Sequence, residues 1–288
     1  MMQIIPSGGP LGAEVAGIDM RHPLDAGEVA ELKQAWNDHL VLVLRGQFDV
    51  SLDDHMTFSR HFGELALSPP SPVTGKRGEY ENVPPEIAVV SNIEKDGKPI
   101  GALGTADVKW HTDSSFFDIP PAGGLLRAIE VPEDGSGATS FLNLYRAYET
   151  LADDLKSRIA GKLCNHSANY DSSGRPYPYA ETGDPTKSPG ARHPLVRTHP
   201  ETGRKCLFLG RRLDAWIVGL PVDESEEVLD AVWDHATSDE FSWTHKWLNG
   251  DMVMWDNTGT LHRATEYPVD SGREMHRTKL EGEEPITA

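Results

Sequence analysis

Gly250-Asp251-Met252-Val253-Met254-Trp255-Asp256-Asn257-Thr258-Gly259-Thr260-Leu261-His262-Arg263-Ala264 sets two apolar stretches of strand length on either side of a polar Asp-Asn-Thr-Gly break. Apolar and β-branched residues favour extended chain, and Asn and Gly tolerate tight turns, so the segment reads as a β-hairpin that presents His262. A second stretch, Val108-Lys109-Trp110-His111-Thr112-Asp113-Ser114-Ser115-Phe116-Phe117, is also rich in β-branched and aromatic residues and is expected to be extended over 109–116. The 27 glycines and 21 prolines are spread along the chain, as many short strands joined by turns require. The pattern predicts a mainly β protein with flanking helices, a double-stranded β-helix (jelly roll, cupin-like) in which two sheets enclose a cavity.

Outward from these segments, residues 24–40 read as a first helix, with Asp25 as N-cap and Val29, Leu32 and Trp36 at helical spacing. Val41-Leu42-Val43-Leu44 then forms a short buried strand, and residues 53–62 suit a second helix closed by Gly63. The Pro- and Gly-rich stretch 65–85 reads as a loop of the length that often serves as a lid or binding loop. Further strands are expected at 87–91 and 124–131, one or two helices at 145–163, and a long irregular insert with Tyr170, Tyr177 and Tyr179 at 164–193. Strands near Val196 and Leu207, a helix at 224–235 and the closing strands complete a pattern without internal repeat. A single domain over residues 1–288 is expected, since this length can bury one substantial core.

His111-Thr112-Asp113 and His262 are the candidate chemistry. Two imidazoles and one carboxylate can occupy one face of a six-coordinate ferrous ion and leave three positions open. Chance competes with this reading, because 12 His and 45 acidic residues in 288 produce roughly two His-x-Asp/Glu matches at random. The second match, His199-Pro200-Glu201, runs into Thr202-Gly203 and reads as a turn between strands. On a strand, residues two apart point to the same side, so His111 and Asp113 are expected to face one cavity. Closure of a barrel would bring the distant His262 to them.

Composition sets limits. With 38% hydrophobic and 25% charged residues the chain falls near the globular average. A formal charge of -18 disfavours nucleic acid and anionic membrane surfaces, which are bound by Lys and Arg. No apolar run approaches the roughly 20 residues of a membrane span, and no signal peptide is evident. Cys164 and Cys206, without metal-ligand spacing, read as reduced thiols of a cytoplasmic protein. In so acidic a chain, Arg263, Arg273 and Arg277 suggest a local site for an anionic ligand. The alternative is surface pairing with Glu266, Glu274 and the acidic tail at 281–284, which contributes little.

The order of several motifs resembles the taurine dioxygenase (TauD/TfdA) family of Fe(II)- and 2-oxoglutarate-dependent dioxygenases. These are Leu11-Gly12-Ala13-Glu14-Val15-Ala16-Gly17-Ile18-Asp19, Phe58-Ser59-Arg60-His61-Phe62-Gly63, Trp110-His111-Thr112-Asp113, Trp255-Asp256-Asn257, His262-Arg263 and Arg273-Glu274-Met275-His276-Arg277. Within the family, His193-Pro194-Leu195-Val196-Arg197-Thr198-His199-Pro200, Gly203-Arg204-Lys205-Cys206-Leu207-Phe208-Leu209-Gly210 and Gly219-Leu220-Pro221 resemble the aryloxyalkanoate branch, whose members include a 2,4-dichlorophenoxyacetate dioxygenase.

The resemblance implies the same jelly roll, with Fe(II) held by His111, Asp113 and His262, 2-oxoglutarate chelated through its keto oxygen and C1 carboxylate, and O2 as co-substrate. Arg273 is implied to grip the remote C5 carboxylate, which a guanidinium does with two parallel hydrogen bonds, and Thr139 to hydrogen-bond the same group. Arg277 is implied to hold the anionic end of the substrate. Its even offset from Arg273 puts both on one face if the segment is a strand. Asp107 stands where the taurine enzyme has an asparagine, and 65–72 lack the histidine and tyrosine of that enzyme, which disfavours taurine. Asp107 and Phe116 are candidate substrate contacts, and Trp216, Trp243 and the insert tyrosines are candidate walls of an aromatic-tolerant pocket. The implied reaction decarboxylates 2-oxoglutarate to succinate and carbon dioxide while hydroxylating a C–H bond of a small anionic organic substrate, such as an aryloxyalkanoate, another carboxylate or a sulfonate. Hydroxylation beside an ether oxygen or sulfonate would fragment the product. A homo-oligomer is expected. Two other classes stay open: a metal-dependent hydrolase using the same three ligands to activate water, and a non-catalytic jelly-roll binder of small organic acids.

Overall fold

The computed structural model describes residues 2–68, 83–101, 107–181, 183–282 and 286–287. Most of the expected lid loop, residues 69–82, therefore lies outside the described residues. The architecture is mainly β with five α-helices among the described residues: α1 (Ala26–His39), α2 (Leu52–Arg60), α3 (Leu144–Thr150), α4 (Asp153–Ile159) and α5 (Val222–Ala236).

Local signals account for the helices. Asp25 accepts from the Glu28 backbone N–H at 2.9 Å while the Glu28 carboxylate accepts from the Asp25 N–H at 3.0 Å, a reciprocal cap on α1. Ser51 and Asp54 repeat the device on α2. The second helix ends at Arg60 with His61 in a right-handed conformation, so Gly63 is not its left-handed cap. α5 buries Val228, Leu229, Val232, Trp233 and Ala236 along one stripe.

Two sheets dominate. Seven strands run in the spatial order Gln3–Pro6, Ala13–Ala16, Val41–Leu44, Met252–Asp256, Gly123–Glu130, Glu274–Leu280, Ala88–Ser91. Four run in the order Ser242–His245, Thr139–Asn143, Thr260–Ala264, Val108–His111. Side chains of the two sheets meet in one core, where Phe141 of the small sheet and Trp255 of the large one pack with ring centroids 6.0 Å apart. A second cluster, including Leu32, Leu42, Phe58 and Leu125, joins the large sheet to α1 and α2.

Three expectations need correction. The 250–264 segment is not a hairpin: Met252–Asp256 pairs with strands of the large sheet and Thr260–Ala264 with strands of the small one, so the polar turn carries the chain from sheet to sheet. Alternation of side chains alone cannot distinguish this crossing from a hairpin. The strand expected at 109–116 ends at His111, and Ser114, at φ 52°, sits in a left-handed turn. The insert at 164–193 is bounded by structure, since Leu163–Ser167 pairs antiparallel with Gly190–Pro194. Gly190 is required there, because a Cβ would lie 1.9 Å from the His166 carbonyl oxygen.

Gly123 and Gly124 let two indoles lie against the centre of the large sheet: a Cβ on Gly123 would approach Trp36 to 2.6 Å, and one on Gly124 would approach Trp255 to 2.4 Å. Both contacts are with rigid rings, so relief requires backbone movement. Gly124→Ala is therefore expected to destabilise the fold by about 1–3 kcal/mol through overpacking. Urea denaturation measures this, and a wild-type midpoint would mean that Trp255 is free to shift.

Candidate active site

The two imidazoles meet because their strands pair. His262 lies directly opposite His111 in the antiparallel ladder, and directly opposed residues project to one face. A register irregularity between His262 and Ala264 marks a bulge beside the pair, a device common next to active sites. The ring centroids are 4.2 Å apart. Trp255 and Phe141 pack against the His262 ring at centroid distances of 5.2 and 6.1 Å and limit its rotation.

Asp113 arrives differently from the expected strand alternation. It lies beyond the strand end, and its backbone is clamped by Asn257 from the sheet-to-sheet turn. The Asp113 N–H donates to Asn257 Oδ1 at 2.9 Å, and Asn257 Nδ2 donates to the carbonyls of Asp113 at 3.0 Å and Pro121 at 2.8 Å. The Thr112 N–H donates to the Gly210 carbonyl at 3.0 Å. The Asp256 carboxylate organises the turn itself by accepting from Thr258 and Gly259.

His111, Asp113 and His262 thus offer ligand atoms within 4.8 Å of one another, all three buried. Their protonation suits a metal cation. Burial, then the neighbouring His111, hold His262 well below the ordinary imidazole range, so the ring is neutral. Burial opposes ionisation of Asp113, but Lys279 and Arg277 outweigh it and hold the carboxyl well below its usual range. His111 Nδ1 lies 2.8 Å from the Lys109 carbonyl oxygen, which fixes it as the protonated nitrogen and leaves Nε2 available. A neutral His262, a His111 whose Nε2 faces the cluster and an ionised carboxylate fit Fe(II).

The Asp113 carboxylate divides its oxygens. Oδ1 lies 3.7 Å from His111 Nε2, whereas Oδ2 lies 3.0 Å from both Arg277 Nη1 and Lys279 Nζ. Burial, opposed by Asp113, pushes the Lys279 ammonium down to about 8. Arg273, 6% exposed, precedes the same strand. Its guanidinium reaches the Gly137 carbonyl at 3.5 Å and lies 5.4 Å from the Tyr267 ring centroid, and no carboxylate among the described residues pairs with it. A buried cation without a counter-ion is costly. Thr139, two residues beyond Gly137, is buried, and its hydroxyl accepts from Trp247 Nε1 at 2.9 Å. The hydroxyl proton stays available for a second partner.

The other candidates scatter. Arg263 stacks on Trp110 at 4.6 Å, on the opposite side of its strand from His262, so the presumed cluster of three arginines splits. None of the three pairs with Glu266 or Glu274 among the described residues. Asp107 is exposed and borders a groove of about 330 Å³ with Lys109, Trp110, His111 and Arg263. Phe116 is half-buried in the turn after Asp113, 5.5 Å beneath the Arg211 guanidinium. Trp216 donates to the Leu220 carbonyl and Trp243 packs against Gly12, so both serve packing. Tyr177 and Tyr179 stack on each other, and Tyr179 is 69% exposed. Lys279 and Asn257 escaped notice as site residues. Lys279 was within reach of the alternation that groups Arg273 with Arg277, but the role of Asn257 depends on a contact across 144 positions.

Known proteins share this sequence pattern and fold. The family described as taurine catabolism dioxygenase TauD, TfdA family matches residues 3–279. The alpha-ketoglutarate-dependent 2,4-dichlorophenoxyacetate dioxygenase of Cupriavidus pinatubonensis is 35% identical over 274 residues, covering 92% of each chain. Pentalenolactone F synthase of Streptomyces avermitilis is 34% identical over 273 residues, covering 88% of this chain and 86% of that one. The crystal structure of AAD-2 in complex with Mn(II) and N-oxalylglycine superposes with a TM-score of 0.81 at 33% identity, covering 100% of this chain and 99% of the other. Sequence, fold and a buried two-histidine, one-carboxylate set agree that this chain belongs to the TauD/TfdA family and is an Fe(II)- and 2-oxoglutarate-dependent dioxygenase.

Proposed function

We propose that the enzyme hydroxylates a C–H bond of a small anionic organic substrate, an aryloxyalkanoate or a related carboxylate or sulfonate, and releases succinate and carbon dioxide. The observation that carries this reading is the buried Arg273 guanidinium, without a carboxylate partner among the described residues, accompanying a complete set of three metal ligands. A hydrolase needs the ligands but not the cation, and a simple acid binder needs the cation but not the ligands. The 35% identity to a 2,4-dichlorophenoxyacetate dioxygenase supports the substrate class. The two facing sheets support a double-stranded β-helix forming one catalytic unit over residues 1–288. Two buried, unpaired thiols support a cytoplasmic setting, and among the described residues no helix is long and apolar enough to cross a membrane.

In this reading His111 Nε2, one oxygen of Asp113 and His262 hold Fe(II), which with 2-oxoglutarate and O2 supplies the oxidising chemistry. The protein contributes position. Lys109 fixes the His111 tautomer, and Trp255 and Phe141 restrain the His262 ring. Asn257 places Asp113 by gripping its backbone on both sides of the residue. Arg273 and Thr139 receive the C5 carboxylate of 2-oxoglutarate, where a charge-assisted pair is stronger than a neutral one. Arg277 receives the anionic end of the substrate, which fixes the bond presented to the metal. Burial of the set keeps bulk water from the reacting centre.

Anaerobic addition of Fe(II) and 2-oxoglutarate is expected to produce a weak visible charge-transfer band, which neither a hydrolase nor a simple binder would show. His111→Ala and Asp113→Ala should abolish succinate formation, and unchanged turnover in both would reject the iron assignment. Arg273→Ala should raise the 2-oxoglutarate concentration needed for half-saturation by about 10- to 100-fold, from a charged hydrogen bond of about 1.5–3 kcal/mol. Asn257→Ala should weaken metal binding by about 10- to 100-fold, as loss of an outer partner of a ligand does. Metal titration by calorimetry checks the last effect, and wild-type affinity would show that Asp113 needs no clamp.

A further inference from the structure

We propose that Trp247 is a positioning residue for 2-oxoglutarate: its indole N–H occupies the Thr139 oxygen and commits that hydroxyl to donate to the far carboxylate of the co-substrate. The inference rests on the assignment of Arg273 and Thr139 to that carboxylate and extends it to a residue outside the expected set.

Trp247 Nε1 donates to Thr139 Oγ1 at 2.9 Å, and both side chains are buried. An indole N–H can only donate, and a hydroxyl has one proton of its own, so the Thr139 proton must point away from the indole. Among the described residues it reaches no acceptor. Arg273 is held nearby in the same condition. Its Nη2 reaches the carbonyl of Gly137, two residues before Thr139, at 3.5 Å, and its buried Nε–H has no partner among the described residues. A carboxylate can only accept, so it is served by a hydroxyl that is already committed to donating. Accepting from the indole also polarises the hydroxyl and strengthens its own donation.

The direction of the indole is itself fixed. His245 lies opposite Thr139 in the ladder between Ser242–His245 and Thr139–Asn143, and its ring meets the Trp247 indole edge-on at a centroid distance of 4.7 Å. The buried Asp251 carboxylate anchors both, accepting from His245 Nε2 at 3.0 Å and from the backbone N–H of Leu248, next to Trp247, at 2.9 Å. Filling the core requires only the ring; these contacts also aim its N–H.

The dissociation constant of 2-oxoglutarate is measured by calorimetry, without oxygen, on enzyme loaded with Fe(II), and that of Fe(II) on the metal-free enzyme. Replacing Trp247 by its benzothiophene isostere, which keeps the ring and removes the N–H, should weaken 2-oxoglutarate by about 3- to 10-fold and leave the Fe(II) affinity unchanged. Trp247→Phe should do the same. Thr139→Val should weaken 2-oxoglutarate on its own, and in that background either change at Trp247 should have no further effect beyond about twofold. Wild-type 2-oxoglutarate affinity in the isostere, equal losses for Fe(II) and 2-oxoglutarate, or losses that add to that of Thr139→Val would each overturn the proposal and leave the reading of Thr139 intact. Wild-type affinity in Thr139→Val would overturn both, and absence of the visible band would remove the dioxygenase reading itself. Should Trp247→Phe not fold, the isostere decides, since it changes a single position of the ring.

Discussion

The antiparallel pairing of His111 with His262 is the contact on which the site depends. It joins the edge strand of the small sheet to its neighbour and in the same step sets two imidazoles side by side, their planes tilted by 45°. The ladder hydrogen bonds hold the strands, and the rings follow from the pleat. Ligand geometry is thereby tied to the fold as a whole, since the two histidine backbones cannot part while the strands stay paired. The third ligand has no such support, because the strand has already ended. Its position is transferred to Asn257, whose amide satisfies the exposed backbone of Asp113 and that of Pro121 together.

Electrostatics completes what the ladder begins. A buried aspartate would ordinarily resist ionisation, and two neighbouring cations reverse that preference. The same cations are held in the interior by the carboxylate. Arg273 is the exception: it is as deeply buried, yet a backbone carbonyl and an aromatic ring are its described neighbours. A buried cation without a counter-ion carries an uncompensated desolvation cost. The interior between the two sheets therefore carries a graded set of charges, with a metal-binding face at one end of the strand and an isolated guanidinium at the other.

The turn Asp256-Asn257-Thr258-Gly259 links these two accounts. It carries the chain from the large sheet to the small one, so a few residues connect the core around Trp255 to the ligand His262. Asp256 caps the turn, Asn257 clamps Asp113, and Gly259 leaves space where a Cβ would lie 2.3 Å from the Asp256 carboxylate. One short segment serves topology, ligand placement and packing.

Much of this was legible in the chain alone. The helix cap at Asp25 and the strand at 41–44 are local in origin, and His111, Asp113 and His262, which the fold gathers into one buried cluster, were recognisable from residue type and order. Local pattern also misled. An apolar-polar-apolar run looks the same whether its strands pair with each other or with different sheets, so the crossing at 256–259 was read as a hairpin. The β-branched run through Phe116 hid a turn at Ser114 that is held by contacts with distant Asn257 and Gly210. Arg263 appeared to belong with Arg273 and Arg277 until strand alternation placed it against Trp110. Sequence determined which chemical groups are available, because those are properties of single residues. Tertiary structure decided which of them meet, because pairing, register and burial arise only when segments remote along the chain share one interior.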